Sequence, residues 1–305
     1  MSLLVVGSIA FDAIKTPFGE RERALGGAAV HFSLAASYFT DVRVVGPVGD
    51  DFGEDEYAVL RRHGVATDDV EHVEGGKTFF WACEYEWNLN VRHTLDTQLN
   101  VFADFQPKLS EASKQVETLF LANIQPDLQR EVREQTQAKL AGLDSMNFWI
   151  DSERESLERT ISTVDIVLMN DDEVRMLTEQ PTLLKAARQI MELGPGVVVV
   201  KQGEYGAALF TKDEFFAIPA YPLETVIDPT GAGDSFAGGL LGYLDSQGGA
   251  TDATTLRRAM AYGSAVASYW VEEFGCERAA DLTREQIDER FEAFRRMSVI
   301  ESVPA

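Results

Sequence analysis

Short apolar segments alternate with amphipathic segments along most of the chain, and this alternation limits the possible folds more than any other feature. The apolar segments end at Gly, Asn or Asp and are nearly continuous, as strands covered on both faces are. They predict strands at 3–7, 42–46, 118–123, 147–151, 165–170 and 197–201. Helices are predicted at 27–39, 52–63, 128–142, 171–178, 181–193, 254–272 and 283–297. The pattern favours a layered α/β fold with a mostly parallel sheet.

Two segments, residues 9–25 and 73–105, lack helical periodicity. The second is rich in aromatic and β-branched residues and predicts two or three antiparallel strands. Both segments emerge at the edge of the main sheet, so we expect a small accessory sheet that covers a ligand site as a lid. The chain contains no linker, repeat or low-complexity tract, which indicates one domain spanning residues 1–305 with the lid inserted in it.

The composition excludes several classes of protein. Fifty acidic and 27 basic residues give a formal net charge of −23, which argues against binding to nucleic acid or to an anionic membrane surface. Such a charge fits a salt-adapted protein or simply an acidic soluble one, and the sequence leaves both open. The two cysteines, Cys83 and Cys276, form no metal-ligand motif and favour a reducing compartment. With no signal-peptide pattern or membrane-length apolar run, we expect a cytoplasmic protein.

One stretch, "VIDPTGAGDSFAGGLLGYL" at residues 226–244, combines a glycine-rich turn with two carboxylates. Val226 and Ile227 resemble the end of a strand, and an apolar helix follows the turn. Small residues at 231–233 let backbone N–H groups approach a ligand, and the helix dipole adds positive potential there. This combination suits a phosphate or a developing oxyanion.

Asp234 stands at the same helix start, where a phosphate would repel it unless it had a chemical role. The role that fits is general base, removing the proton from a hydroxyl that then attacks a phosphoryl group. The alternative is that Asp234 only stabilises the helix dipole and that the glycines only form a turn. Three further glycines, Gly238, Gly239 and Gly242, are expected to let the helix pack tightly against its neighbours.

"DPTGAGDSFAGG" resembles the C-terminal signature of the ribokinase family, the phosphofructokinase-B group of sugar and nucleoside kinases. Other segments resemble this family in the expected order: "VVGSIAFDAI", "ALGGAAVHFSLAASYF", "VGPVGDDFGEDEYAVLRRHGV", "NDDE" and "VKQGEYGA". The resemblance covers most of the chain and implies a three-layer αβα ribokinase-like fold. It also implies ATP and Mg²⁺ as the nucleotide and the metal.

The resemblance assigns roles to individual residues on the nucleotide side. Asp234 corresponds to the catalytic base, and the amides of Gly231, Ala232 and Gly233 correspond to the anion hole. Asn170 and Glu173 match an Asn-x-x-Glu motif that holds Mg²⁺ through water, although Asn170 could instead cap the following helix. Nucleotide contacts are implied for Lys201, Gly203 and Gly206, and a monovalent-cation site such as one for K⁺ is implied for Asp228.

On the acceptor side, the resemblance implies that Asp12, Gly26, Gly27 and His31 bind the substrate. An Asp can accept hydrogen bonds from adjacent hydroxyls, and paired glycines let backbone approach a sugar ring. His31 departs from the family pattern, since sugar-specific relatives carry Asn there, and its alternative role is a satisfied core residue. The aromatic residues Phe79, Phe80, Trp81, Tyr85 and Trp87 of the lid could stack on a sugar or a nucleobase.

The function that the sequence favours is ATP-dependent phosphorylation of a hydroxyl of a sugar or polyol. A nucleoside kinase with the same machinery is the alternative, and a catalytically idle sugar or nucleotide sensor on the same fold is a third reading. The family resemblance also implies a homodimer formed through the lid.

Overall fold

The structure is a computed structural model that describes residues 2–298. Its strands are β1 (Ser2–Val6), β2 (Ala10–Thr16), β3 (Gly19–Gly26), β4 (Asp41–Val48), β5 (Ala66–His72), β6 (Phe79–Tyr85), β7 (Arg92–Gln98), β8 (Thr118–Leu121), β9 (Leu140–Asp144), β10 (Ile166–Asn170), β11 (Val197–Lys201), β12 (Ala207–Thr211) and β13 (Phe215–Ile218). Its α-helices are α1 (Ala28–Ala36), α2 (Glu54–Arg62), α3 (Glu111–Lys114), α4 (Pro126–Gln135), α5 (Asn147–Ser152), α6 (Arg154–Ile161), α7 (Asp171–Thr178), α8 (Leu183–Glu192), α9 (Ala232–Ser246), α10 (Ala253–Trp270) and α11 (Arg284–Met297).

The strands form two sheets. The large sheet has nine strands in the spatial order β13-β12-β11-β10-β9-β8-β1-β4-β5. Its neighbours are parallel from β11 to β5, and β12 and β13 continue it as antiparallel strands at one edge. Parallel neighbours direct their carboxyl ends to the same edge of the sheet, so side chains that follow these strands converge there.

Alternating side chains of the parallel strands enter two separate cores. Leu3 and Val5 of β1 belong to the core that includes α1, α9, α10 and α11, whereas Leu4 and Val6 belong to the core under α4, α6, α7 and α8. Both faces of the sheet are therefore covered by helices, which explains the nearly continuous apolar character of these strands. The three-layer αβα arrangement predicted from the sequence is confirmed.

Two predicted elements are wrong. Residues 147–151 lie in helix α5, and the strand of this region is β9, which overlaps the end of the helix predicted at 128–142. The Leu and Ala residues of "LAGLD" favour a helix. Gly142, however, packs β9 closely against α9, because a Cβ there would lie 2.9 Å from Leu241. Val226 and Ile227 do not form a strand either, so Asp228 does not follow a strand end.

The small sheet consists of β3-β2-β6-β7 and comes from the two segments predicted to form an accessory sheet. Within 73–105 the strands β6 and β7 are antiparallel, as expected, while β2 and β6 are parallel. One face packs Ile14, Cys83 and Tyr85 around Phe274 of the main body. Within residues 2–298, no helix has both the length and the apolar character needed to cross a membrane.

Helix α9 lies against α1 and α10 at very short range because of three of its glycines. A Cβ on Gly238 would lie 2.5 Å from the carbonyl oxygen of Phe32, and one on Gly239 would lie 3.1 Å from the Cα of Gly263. A Cβ on Gly242 would lie 3.0 Å from the Cα of Ala36. The prediction that these glycines permit tight helix packing is confirmed.

Replacing Gly238 with alanine should destabilise the protein although alanine is the better helix former. The propensity gain is about 1 kcal/mol, but the new methyl would overlap backbone of α1 that has no space to move. We expect a net loss of about 1–3 kcal/mol in the free energy of unfolding, measured by urea denaturation. The control is Gly196→Ala, because nothing lies within 4 Å of that Cβ position. Equal stability of the two variants would contradict the packing argument.

Candidate active site

The polar residues predicted from the sequence converge where the strands β9, β10 and β11 end. Asn170 and Lys201 are the last residues of β10 and β11 and are direct neighbours in the sheet. The N-terminus of α9, which carries the glycine-rich turn and Asp234, lies beside them. Lys201 at the end of β11 contacts the start of α9, because its Nζ would lie 3.3 Å from a Cβ added to Gly233.

The turn before α9 depends on glycine for two reasons. Gly231 has φ = +73°, a left-handed conformation that costs other residues energy, and it is the N-cap of α9. A Cβ on Gly231 would also lie 2.4 Å from the ring of His31. The first N–H groups of a helix have no partner within the helix, and here the N–H of Ala232 donates weakly to Pro229 at 3.2 Å. The turn thus presents backbone amides at the positive end of a helix, as predicted.

Asp234 lies in the first turn of α9 and is half-buried. Burial, together with the charges of Asp144 and Asp12, raises the pKa of the Asp234 carboxyl to about 6 against the opposing charges of His31 and Lys201. A carboxylate with a pKa near 6 is largely ionised at neutral pH yet basic enough to accept a proton. Position and proton affinity therefore both suit a general base.

Asp144, the last residue of β9, is the site residue that the sequence analysis missed. Its carboxylate pairs with the ammonium group of Lys201, and only 5% of the Asp144 side chain and 17% of the Lys201 side chain are exposed. Burial lowers the pKa of Lys201, but the carboxylates of Asp144 and Glu173 outweigh this and raise it. The sequence analysis assigned residues 128–142 to a helix and therefore did not recognise Asp144 as the end of a strand.

Asn170 and Glu173 form a reciprocal cap at the start of α7. The Oδ1 of Asn170 accepts from the N–H of Glu173, and the Oε2 of Glu173 accepts from the N–H of Asn170, both at 2.8 Å. Asn170 therefore caps helix α7, the role that the sequence analysis gave as its alternative to binding Mg²⁺. Burial and, to a smaller extent, the charge of Asp144 raise the pKa of Glu173 to about 7, while Lys201 opposes the rise.

Asp228 is fully buried, and its two oxygens accept from the N–H groups of Thr230 (2.8 Å) and Gly275 (2.9 Å). We expected a buried carboxylate at this position to need a partner such as a cation. Backbone amides supply that partner here, and they tie the turn before α9 to the loop at residue 275.

The predicted acceptor residues also come together. Asp12 on β2 packs so closely on Gly26 that a Cβ on Gly26 would lie 1.9 Å from the Oδ2 of Asp12. Gly27 is the N-cap of α1. His31 on α1 lies between Asp12 and Gly231: its Nε2 is 3.9 Å from Oδ2 of Asp12. The acceptor residues thus adjoin the turn that carries Asp234.

The small sheet reaches the site at two points. Tyr85 of β6 hydrogen-bonds Thr230 of the turn at 3.1 Å, and Asn90 between β6 and β7 donates to Glu204 at 2.9 Å. Glu204 belongs to a 3₁₀ turn (Gly203–Tyr205) that follows β11 and is closed by Gly206 at φ = +100°. The small sheet therefore spans from the turn of α9 to the predicted nucleotide loop.

The aromatic residues of the small sheet are divided between its two faces. Trp81 pairs with Asp12 across β2 and β6 and so shares its face, while Phe80 packs with the core on the opposite face. Most of these rings already have a partner: Phe79 stacks on Phe102, and Arg92 lies 5.0 Å above Trp81.

Residues 2–282 match the family model described as pfkB family carbohydrate kinase. The chain belongs to this family. The pfkB match covers both sheets and every residue of the candidate site, and the ribokinase-like resemblance noted in the sequence is confirmed. The protein is accordingly a kinase with an alcohol acceptor.

Known proteins resemble this pfkB kinase over nearly its whole length. The nucleoside kinase of Methanothermobacter thermautotrophicus is 29% identical and covers 95% of this chain and 96% of its own. The cytidine kinase of Thermococcus kodakarensis is 28% identical over 80% of this chain and 88% of its own. The Escherichia coli structure named a putative ribokinase II in complex with ATP and Mg²⁺ shares the fold, with a TM-score of 0.78, 19% identity and coverage of 96% and 99%.

The pfkB kinase site fits Mg²⁺ although it holds no dense metal cluster. Within the described range 2–298, no group of three or more His, Cys, Asp or Glu side chains is arranged to hold a metal ion. Mg²⁺ needs only one or two carboxylates because it keeps several waters. Burial is the main reason for the raised pKa of Glu173, and the charge of Asp144 adds to it, so a cation beside these two carboxylates would be favourable and the residues present suit the ion.

Removing the charge of Lys201 should destabilise this pfkB kinase because Asp144 would remain buried without a partner. We expect Lys201→Met to cost about 3 kcal/mol in the free energy of unfolding, measured by urea denaturation. The double variant Lys201→Met/Asp144→Leu should recover most of this loss. Lys139→Met, which breaks the exposed pair with Glu117 at 2.8 Å, should cost less than about 1 kcal/mol. A loss in Lys201→Met no larger than in that control would contradict the buried pairing.

Proposed function

We propose that this kinase transfers the terminal phosphoryl group of ATP to a hydroxyl of a nucleoside, with Asp234 as the general base. The observation that carries the proposal is the position of Asp234, with its pKa of about 6, at the amide-bearing start of α9. The nucleoside is favoured as acceptor because the nucleoside kinase and the cytidine kinase cover 95% and 80% of this chain at 29% and 28% identity. A probable fructokinase of Arabidopsis thaliana also covers 80% of the chain, at 27% identity.

In the proposed mechanism, Asp234 accepts the proton of the acceptor hydroxyl as its oxygen attacks the phosphoryl group. The amides of Gly231, Ala232 and Gly233 stabilise the negative charge that develops on the transferred group. Lys201, held by Asp144 beside Gly233, adds a fixed positive charge on the same side. Asp12, Gly26 and Gly27 hold the acceptor.

Glu173, with Asn170 behind it, is proposed to hold Mg²⁺ through water, and the 203–206 turn is proposed to contact the nucleotide. Bound there, Mg²⁺ would neutralise part of the phosphate charge. A monovalent cation near Asp228 and a homodimer formed through the small sheet stay predictions. Such a dimer would form at an edge of that sheet, where β7 is exposed along its whole length and β3 along most of it.

A free sugar or polyol is the second candidate acceptor, and the packing of the aromatic rings favours it. Phe79 and Trp81 are already covered by Phe102 and Arg92, which leaves less ring surface for stacking on a base. A free sugar needs only the hydroxyl-binding groups around Asp12.

The test is a panel of acceptors with ATP and Mg²⁺: cytidine, adenosine, ribose, fructose and myo-inositol, with ADP formation as the readout. We expect the highest kcat/KM with a nucleoside. A higher value with ribose, fructose or myo-inositol would replace the nucleoside by a free polyol and leave the kinase assignment intact. Absence of acceptor-dependent ADP formation throughout would instead favour an idle sensor.

Asp234→Asn should fold normally and lose at least about 100-fold in kcat, because the amide cannot accept the hydroxyl proton. Folding is checked by circular dichroism and urea denaturation, and turnover by ADP formation. Asp213→Asn removes an exposed carboxylate between β12 and β13 and should leave kcat unchanged. A folded Asp234→Asn variant with near-normal turnover would eliminate Asp234 as the base.

The pH profile should show the titration of Asp234. The base is active when ionised, and its pKa is raised to about 6, so kcat/KM should be constant above about pH 7 and fall as pH decreases through 6. Below that point the decrease should approach tenfold per pH unit. The control is the free energy of unfolding at each pH, which separates titration from acid unfolding. A profile that stays flat to pH 5 in a folded enzyme would contradict the assigned pKa.

A further inference from the structure

The turn that leads into α9 has no sheet or helix of its own to support it. Residues 219–230 form neither a helix nor a strand, so no regular ladder of hydrogen bonds holds them. Near the end of this segment, the N–H of Ile227 donates to the carbonyl oxygen of Val271 at 2.8 Å. Gly231 then takes the left-handed conformation that begins α9. What holds the residues between Ile227 and Gly231 decides where the amides of the proposed anion hole point.

Thr230, directly before Gly231, is held at two places. Its N–H donates to Oδ1 of Asp228 at 2.8 Å, and its Oγ1 shares a hydrogen bond with the phenol oxygen of Tyr85 at 3.1 Å. Rotation of a β-branched side chain about χ1 is restricted, so fixing Oγ1 also restrains the backbone that carries it. Because the N–H and the side chain of Thr230 are both bound, the amide that follows, the N–H of Gly231, keeps its direction.

Tyr85 reaches this turn from the small sheet with little freedom of its own. It is the last residue of β6 and only 8% exposed, and its ring packs with Ile14, Cys83 and Phe274. Little of the ring is left to stack on a ligand, the role that the sequence analysis considered for it. Burial raises the pKa of the Tyr85 phenol, so the hydroxyl keeps its proton near neutral pH. A phenylalanine would fill the same space, and only the hydroxyl adds the contact with Thr230.

Tyr85 belongs to the strand that pairs with the strand carrying Asp12. In the parallel pairing of β2 with β6, Asp12 lies opposite Trp81, and Tyr85 follows four positions later on the same face. Within the described residues 2–298, the Tyr85 hydroxyl makes the only hydrogen bond from the small sheet to residues 228–231. The strand pair that is proposed to hold the acceptor and the turn of the anion hole are thus joined through one phenol.

We propose that Tyr85 is a positioning residue for phosphoryl transfer, which through Thr230 holds the turn of the anion hole in place relative to the strand pair that carries Asp12. The proposal rests on the proposed function for the catalytic role of the turn, whereas the support of the turn by Tyr85 depends only on its contacts. Tyr85 acts through Thr230 and needs no contact with either substrate. The amides act on charge that develops during transfer, so a displaced turn lowers kcat more than it weakens substrate binding.

The first experiment measures hydrogen–deuterium exchange by mass spectrometry on the substrate-free protein, for wild type, Tyr85→Phe and Tyr262→Phe. Tyr262 is the matched control because it is 7% exposed and its hydroxyl donates to Asp288 of α11 at 2.9 Å. We expect peptides that span 228–235 to exchange about threefold faster in Tyr85→Phe and at the wild-type rate in Tyr262→Phe. Unchanged exchange of these peptides in Tyr85→Phe would overturn the proposal even if no acceptor is known.

The second experiment measures steady-state kinetics with ATP, Mg²⁺ and the acceptor identified in the panel. We expect Tyr85→Phe to lower kcat about tenfold while the KM values of ATP and acceptor stay within about twofold of wild type. Tyr262→Phe should change kcat and both KM values by less than about twofold. Urea denaturation verifies that each variant is folded under the assay conditions. A raised acceptor KM with normal kcat would make Tyr85 a substrate contact, and normal kinetics would make its hydroxyl purely structural; either result overturns the proposal.

A double-mutant cycle decides whether Tyr85 acts through Thr230. Thr230→Val keeps the branched side chain and removes the hydroxyl, so it should lower kcat at least as much as Tyr85→Phe does. In the Thr230→Val background, Tyr85→Phe should then lower kcat by less than about twofold more. Effects of the two substitutions that simply multiply would overturn the path through Thr230. If no acceptor is phosphorylated, the proposed function fails, while the exchange experiment still decides whether Tyr85 holds the turn.

Discussion

The close packing of α9 between α1 and α10 is the constraint on which the site depends. With Cβ atoms at 238, 239 and 242, the three helices would have to separate, and the start of α9 would move with them. Instead, α9 lies near enough to α1 for Gly231 to touch His31. The amides, the base and the acceptor residues are thereby held by packed helices, which preserves their mutual positions during the reaction.

A second constraint on the site is electrostatic: carboxylate side chains outnumber cationic ones around Lys201. Asp144, Glu173 and Asp234 surround the single ammonium group of Lys201, and the pKa values of Glu173 and Asp234 rise to about 7 and 6. The protein alone thus presents too little positive charge to neutralise the phosphates of a nucleoside triphosphate. This is the electrostatic reason for expecting the nucleotide to arrive with Mg²⁺.

The sequence predicted most of the fold because its signals were local. Apolar runs identified β1, β10 and β11, and the helix predicted at 171–178 coincides with α7. The strand predicted at 147–151 failed because a short apolar run does not distinguish strand from helix, and β9 depends on the contact of Gly142 with α9.

The site was predictable where a motif brings its residues together in sequence, as in the turn from 231 to 234. It was not predictable where distant segments meet. The pairing of Asp144 with Lys201, the hydrogen bond from Gly275 to Asp228 and the hydrogen bond from the indole of Trp270 to His31 each join residues more than 45 positions apart. Such contacts exist only after the sheet and helices have assembled. Local patterns therefore indicate which groups are present, and packing decides what each group binds.

The hydrogen bond between Asn90 and Glu204 links the tip of the small sheet to the 3₁₀ turn after β11. If that turn contacts the nucleotide and the small sheet covers the acceptor, a nucleotide that displaces Glu204 would also break the hydrogen bond that holds the tip of the small sheet. Movement of the small sheet away from the site would in turn release the 3₁₀ turn. Substrate entry and product departure on the two sides would then be thermodynamically linked through a single exposed amide–carboxylate contact.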